Sequence, residues 1–223
     1  MGGQIYNKFA VLRGGGVEVH WRVGNFARVA MKSILVVDNY DSFTYNLVHL
    51  LESISSRSVA VFRNDEVDLD KLADYERILI SPGPGIPEEA GRTLEVIQNA
   101  PRDIPILGVC LGHQSLAVAT GGTLYQLPSV QHGIATPMQV SIDADRLRIY
   151  EGLPKTFEVG RYHSWMVAEE TLPAQWQINA RDDQGRILSM VHKELPWQGV
   201  QFHPESVMTP LGREILANWC NNC

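Results

Sequence analysis

Cysteine is scarce in this chain, and no apolar run is long enough to cross a bilayer. The three cysteines are Cys110, Cys220 and Cys223. An odd count with two crowded at the C-terminus is not a disulfide framework, and it fits a reducing compartment such as the cytoplasm. Cys220 and Cys223 have Cys-x-x-Cys spacing, but a lone terminal pair is weak ground for a metal or redox site, and a solvated tail is expected there. Basic blocks are missing too. Nineteen Lys and Arg against 25 Asp and Glu leave a net charge of -6, which argues against nucleic acid as a partner. There is no P-loop and no Gly-x-Gly-x-x-Gly dinucleotide fingerprint. No His, Cys, Asp and Glu cluster has metal-ligand spacing, so neither metal nor cofactor is expected in this chain. Internal repeats and low-complexity tracts are absent.

What remains is an ordinary globular composition, 44% hydrophobic and 20% charged over 223 residues. That suits one α/β domain, alone or with an appendage. Residues 1–31 have a different texture. They are rich in glycine and carry Lys8, Arg13, Arg22 and Arg28 against one acid, Glu18. Val17, Val19, Trp21 and Val23 alternate with polar residues, as in a short half-buried strand. The apolar centre of a secretory signal is lacking. These residues are expected to form an accessory leader outside the core, an upstream start codon being one origin for it. The working domain is expected over 32–223.

Ser33-Ile34-Leu35-Val36-Val37 is an unbroken apolar run, the pattern of a parallel strand buried on both faces. Asp41 or Ser42 can cap a following helix with Phe43, Leu47, Leu50 and Leu51 on its apolar face. Further strands are expected over 58–62, 77–80 and 104–109, with a short helix over 68–73 and another over 91–99. The alternation predicts an open, mostly parallel sheet with helices on both faces, a flavodoxin-like α/β fold. Ligands of such sheets bind beyond the carboxyl ends of the strands. There the loop 38–41, the turn Ser81-Pro82-Gly83-Pro84-Gly85 and Cys110 all fall. After Gly121-Gly122 short strands are expected over 123–125, 137–142, 157–159, 166–168, 176–180 and 187–191. They would form a meander or a smaller antiparallel sheet layer. A helix over 211–219 closes the chain.

Gly108-Val109-Cys110-Leu111-Gly112-His113-Gln114 places a cysteine at a strand-to-helix turn, with a glycine two residues to either side. This is the layout of a nucleophile elbow with sulfur in place of oxygen. A thiol at a helix N-terminus faces unpaired N–H groups, which favour the thiolate. A buried structural cysteine fits the same stretch. A thiolate nucleophile needs a base and a group to orient it. His203-Pro204-Glu205 offers both, since residues two apart on an extended chain project to one side and proline disfavours a helical His203. An ordinary strand-end histidine beside a solvated carboxylate is the alternative. His163, in Arg161-Tyr162-His163-Ser164, ranks lower as base because no acid stands two residues on. His113 adjoins the cysteine only in sequence. The glycines of 81–85 can aim backbone N–H groups into a cleft as an oxyanion hole, or can simply make a tight turn.

The elbow, followed by Gln201-Phe202-His203-Pro204-Glu205 and preceded by Ser81-Pro82-Gly83-Pro84-Gly85, resembles the triad-type, class I glutamine amidotransferases over about 32–220. Asp38-Asn39-Tyr40-Asp41-Ser42-Phe43-Thr44-Tyr45-Asn46 and Arg161-Tyr162-His163-Ser164 are similar to one branch, the small subunits of anthranilate synthase and aminodeoxychorismate synthase. The resemblance implies that Cys110 attacks the side-chain amide of glutamine. His203 and Glu205 complete the triad, and the N–H groups of Gly85 and Leu111 hold the oxyanion. Gly83, Pro84, Gly85, Gln114, Ser164 and Trp165 would bind glutamine. It implies further that the chain is half of an enzyme, a heterodimer or heterotetramer that passes ammonia to a chorismate-binding synthase subunit. Mg2+ would be used by that partner and no cofactor by this chain. Anthranilate synthase, in tryptophan biosynthesis, is the first expectation. Aminodeoxychorismate synthase, in folate biosynthesis, or a secondary-metabolite relative is the alternative, and a stand-alone γ-glutamyl cysteine hydrolase is more remote. The branch usually has His-Gly-Lys where this chain has His132-Gly133-Ile134, and leucine where it has Trp165. Ile134 therefore removes a cation, and Trp165 is expected to narrow the glutamine pocket or to pack at the partner interface.

Overall fold

The computed structural model describes residues 7–13, 16–22, 33–141 and 148–222. The chain divides into two compact units, Met1–Met31 and Lys32–Cys223. In the first, β1 (Asn7–Arg13) pairs antiparallel with β2 (Gly16–Arg22). Val23, the expected end of that strand, lies outside the described residues, as do Ile142 and Cys223.

In the second unit, nine strands of the described residues form one sheet. They are β3 (Ser33–Asp38), β4 (Ser58–Arg63), β5 (Arg77–Ile80), β6 (Ile106–Val109), β7 (Leu124–Val140), β8 (Thr156–Val167), β9 (Trp176–Asp182), β10 (Ile187–His192) and β11 (Trp197–Val200). Their order is β4-β3-β5-β6-β11-β10-β9-β7-β8. The first five in that order run parallel and the rest antiparallel. The expected antiparallel part is therefore hydrogen-bonded edge to edge with the parallel part, through β10 and β11.

The helices are α1 (Thr44–Ile54), α2 (Thr93–Asn99), α3 (Leu111–Ala119) and α4 (Gly212–Asn222). The expected helix over 68–73 is a 3-10 segment, Leu69–Asp74, capped by the Asp68 carboxylate. The two-residue period of β3 divides the core. Ile34 and Val36 join Leu47, Leu51, Ile215 and Trp219 of α1 and α4 on one face. Leu35 and Val37 join Val96, Ile97 and Leu116 of α2 and α3 on the other. Burial on both faces is what an unbroken apolar run requires, and it makes the parallel part rigid.

Three local expectations need correction. Phe43 is exposed, and α1 buries Thr44, Leu47, Val48 and Leu51 instead. The Asp41 carboxylate accepts from the Phe43 N–H at 2.7 Å, which turns the chain one step before the helix. The C-terminus is no solvated tail at Cys220, which is fully buried on α4; its carbonyl accepts from Arg57 at 3.0 Å. The pairs 123–125 with 137–142, and 157–159 with 166–168, are two continuous strands. β7 alone spans 17 residues. Pro128, Gly133 and Pro137 interrupt its pattern, and register shifts in its pairing with β8 absorb the irregularity.

Candidate active site

Parallel pairing brings the chemistry to one edge. β6 lies between β5 and β11, with Ile80 opposite Gly108 and Val200 opposite Val109. Three neighbouring parallel strands thus end together. β5 leads into Ser81–Gly85, β6 into Cys110 and β11 into Gln201-Phe202-His203.

Cys110 itself is strained. Its φ is 52° and ψ is -101°, a left-handed φ that non-glycine residues avoid and that functional turns exploit. The Val200 carbonyl fixes it by accepting the Cys110 N–H at 2.8 Å. The turn is possible because its glycines have no side chain. A Cβ on Gly108 would stand 2.4 Å from the Gly112 carbonyl carbon, and one on Gly112 2.3 Å from the Ile80 oxygen. Both obstacles are backbone. Gly112→Ala is therefore expected to push α3 off β5 and cost about 2–3 kcal/mol. That should appear as a melting temperature lower by roughly 5–10 °C, with any reaction at the thiol lost more steeply than stability. A melting temperature within a degree of the parent would refute the close-packing account.

His203 and Glu205 are also together, though not as extended residues. The Ser206 N–H donates to the His203 carbonyl at 3.2 Å, which makes 203–206 a turn with Pro204 at its favoured second position. The turn swings Glu205 back, so that Nδ1 of His203 lies 2.6 Å from Oε1. Both side chains are almost fully buried. Burial opposes charge on the imidazole. The Cys110 sulfur and the Glu205 carboxylate overcome it and hold His203 well above the ordinary histidine range. Nε2, the nitrogen turned away from Glu205, is buried and makes no aligned hydrogen bond with any described residue. Glu205, His203 and Cys110 thus stand in the sequence carboxylate, imidazole, thiol, an arrangement able to form a thiolate and to shuttle a proton.

The other two candidate bases behave differently. His163 accepts from Arg161 and faces the Trp165 carbonyl; burial and the Arg161 charge push it down to about 3. His113 is fully buried on α3 and pushed down to about 4 by burial. Both rings stay neutral at neutral pH and are too weakly basic to serve the thiol.

A cavity of about 230 Å³ opens over the sulfur. Gly83, Pro84, Gly85, Leu111, Gln114, Ser164 and Trp165 line it together with Cys110. The sheet must curl to achieve this, because β8 is last in strand order and β6 central. The Gly160 carbonyl of β8 accepts the His203 N–H at 3.0 Å and pins the curl. The far wall holds residues that sequence reasoning did not assign to the pocket: Val130, His132, Tyr162 and His163. The Tyr162 ring meets His203 edge-on at 4.9 Å and His132 at 5.6 Å. Reading β7 and β8 as continuous strands would have set His132 opposite Tyr162 across their ladder. Gln114 reaches the cavity with its amide nitrogen already used, by the Trp165 carbonyl at 2.8 Å and by Gln201 at 3.2 Å. Only its Oε1 remains for a ligand. Ile134 is 41% exposed.

The turn 81–85 is clamped from below by Asn39. Its backbone N–H donates to Ser81 Oγ at 2.9 Å and its side-chain amide to the Ser81 carbonyl at 2.8 Å. Its Oδ1 accepts from Asn64 and Thr93. The loop 38–41 therefore caps little of α1 and supports 81–85 instead. A larger hollow, about 480 Å³, lies at the opposite, amino ends of β5 and β6. It is lined by Arg57, Tyr75, Glu76 and Asp103 among others and contains no thiol or imidazole. Among the described residues, no group of three His, Cys, Asp or Glu is placed to hold a metal, and no helix is long and apolar enough to cross a membrane.

Known proteins resemble this chain in sequence and fold. The family model of glutamine amidotransferase class-I matches residues 35–223. The aminodeoxychorismate/anthranilate synthase component 2 of Bacillus subtilis is 44% identical over 188 residues, 83% of this chain and 94% of that protein. The anthranilate synthase component II of Haloarcula marismortui is 45% identical over 191 residues, 84% of this chain and 96% of that protein. A solved structure from Thermoplasma acidophilum, provisionally assigned to a GMP synthase, superposes with a TM-score of 0.75 at 26% identity, covering 85% of this chain and 92% of its own. With a match that runs from the first core strand to the last helix, the chain belongs to the class-I glutamine amidotransferases.

Proposed function

We infer that this chain is the glutaminase component of an anthranilate synthase, and that it supplies ammonia to a separate chorismate-using subunit. The observation that carries the catalytic part is the convergence of Cys110, His203 and Glu205 under a cavity sized for one amino acid. The relatives named as component 2 support the assembly and the branch.

In this reading the reaction has two halves. The Cys110 sulfur attacks the amide carbon of glutamine. The resulting oxyanion is met by the N–H groups of Gly85 and Leu111; the latter, in the first turn of α3, has no partner within its helix. The His203 imidazolium gives its proton to the leaving nitrogen, so ammonia departs and a thioester remains. The neutral imidazole then takes a proton from water, hydroxide attacks the thioester, and glutamate leaves with thiolate and imidazolium restored. Glu205 keeps the ring oriented and offsets its charge throughout. Gln114 Oε1 and the backbone of Ser164 and Trp165 hold the amino-acid end of glutamine, while Gly83, Pro84 and Gly85 wall the side chain. The core is 32–223, and the leader takes no part. The binding and amination of chorismate, and any Mg2+, are assigned to the partner.

The Bacillus subtilis relative carries both branch names, which keeps aminodeoxychorismate synthesis as the second reading. Capture of the partner followed by an assay with glutamine and chorismate separates them. A product with the mass of anthranilate is expected. Aminodeoxychorismate would assign the other branch, and no aminated product would refute the assembly.

A further inference from the structure

Behind the Cys110 sulfur runs a series of buried hydrogen bonds whose direction is set at its start. Arg161 Nε lies 3.1 Å from His163 Nε2. A guanidinium can only donate, so Nε2 accepts. The proton of the neutral ring is then on Nδ1, which donates to the Trp165 carbonyl at 3.1 Å. That carbonyl also accepts Gln114 Nε2 at 2.8 Å, which orients the Gln114 amide. The same Nε2 donates to Gln201 Oε1 at 3.2 Å. Gln201 must therefore turn its own Nε2–H toward Cys110 Sγ, 3.6 Å away. Amide orientations are commonly ambiguous; here each is forced by a neighbour with a single role. Gln201 is fully buried, so no water competes for these bonds.

We propose that Gln201 is a positioning residue of the glutaminase reaction: its Nε2–H holds the Cys110 sulfur as an acceptor, and its Oε1 ties that sulfur to the Gln114 wall of the glutamine pocket. This rests on Cys110 being the nucleophile. A donor aimed at the sulfur favours the charged form over the neutral thiol. The charged and titratable groups around it are His203 and Glu205 after β11, Arg161, Tyr162 and His163 on β8, His132 on β7, Asp182 on β9 and His113 on α3. Arg161 and Asp182 offset each other as an ion pair at 2.7 Å. His163 and His113 are held neutral by burial. The sulfur is thus governed by the His203–Glu205 pair and by the Gln201 amide. A ligand that draws on Gln114 also pulls on that amide, which links pocket occupancy to the state of the sulfur.

Gln201→Met keeps the length of the side chain and removes the donor. Gln201→Glu keeps its shape and presents an acceptor. In the full-length chain, the rate of Cys110 alkylation by iodoacetamide would be followed against pH, with the modified site located by mass spectrometry. For Gln201→Met the midpoint of the pH–rate curve is expected to rise by about one unit, and for Gln201→Glu by more. Glutaminase kcat should fall about tenfold with little change in KM. A purely structural role would lower the melting temperature and leave the midpoint in place; an unmoved midpoint in the folded variants overturns the proposal. If Gln201→Met does not fold, Gln201→Glu decides alone. If the parent chain alkylated at Cys110 still hydrolyses glutamine, the nucleophile assignment fails, a result distinct from the failure of Gln201.

Discussion

Cys110→Ser is expected to reduce glutamine-dependent product formation by at least ~10³-fold and to leave ammonia-dependent formation by the partnered enzyme within about twofold. The asymmetry follows from where the residue sits. Serine occupies the same space at the same strained φ of 52°, and the Cys110 N–H bond to Val200 is unaffected by the change. The fold should survive, and the melting temperature should move little. What is lost is the sulfur nucleophile. His203 is held above the ordinary histidine range in part by charge on the sulfur. A hydroxyl is a far weaker acid and nucleophile, so the partner of His203 and the attacking group are lost together. Ammonia added from outside bypasses the whole sequence. Steady-state assays with glutamine and with ammonium salts, on the same complex, check both halves. Equal rates from the two nitrogen sources after the substitution would remove Cys110 from the mechanism.

The elbow was legible in the sequence because its constraints are local. A buried strand, a glycine on each side of one cysteine and a helix start all lie within a dozen positions, and backbone sterics permit few other outcomes. The shared edge was legible as well, since parallel strands of an alternating α/β chain all end on one side. The turn that joins His203 to Glu205 was not. Proline suits both an extended chain and the second position of a turn, and only the Ser206 N–H bond to His203 distinguishes them. Nor was the far wall. Its residues lie on β7 and β8, where prolines, a glycine and register shifts break the two-residue period on which strand reading depends. The contact between β8 and the centre of the sheet arises from curl, a property of the whole sheet that no window of sequence contains. Arg161 shows the same limit. It reads as one polar residue of a run, yet it is fully buried and directs hydrogen bonds that end at the sulfur.

That burial makes the Arg161–Asp182 pair the place where stability should be most sensitive. Both side chains have no exposure, and Arg161 Nη1 lies 2.7 Å from Asp182 Oδ2. Asp182 also takes Arg186 Nε at 2.6 Å and the N–H groups of Gln184 and Arg186. Asp182→Ala leaves a guanidinium in the core without its counterion, and removal of one partner of a buried pair costs about 3–5 kcal/mol. At this chain length that is a fall in melting temperature of roughly 10 °C. Pairing the change with Arg161→Met should recover the larger part, because the cost is the orphaned charge rather than the lost attraction. It should not recover glutaminase activity, since His163 then has no donor to fix its ring. The pH dependence has a definite sign. Burial alone would raise the Asp182 carboxyl, but the Arg186 N–H and the two guanidiniums hold it below the ordinary range. A depressed carboxyl contributes stability that is complete above its unfolded value, near about 3.9, and is lost as pH falls through the lower folded value. The melting-temperature gap between the parent and Asp182→Ala should therefore be constant near neutrality and narrow below about pH 4. A gap that widens on acidification, or a double variant no more stable than Asp182→Ala, would show that the orphaned guanidinium is not the source of the loss.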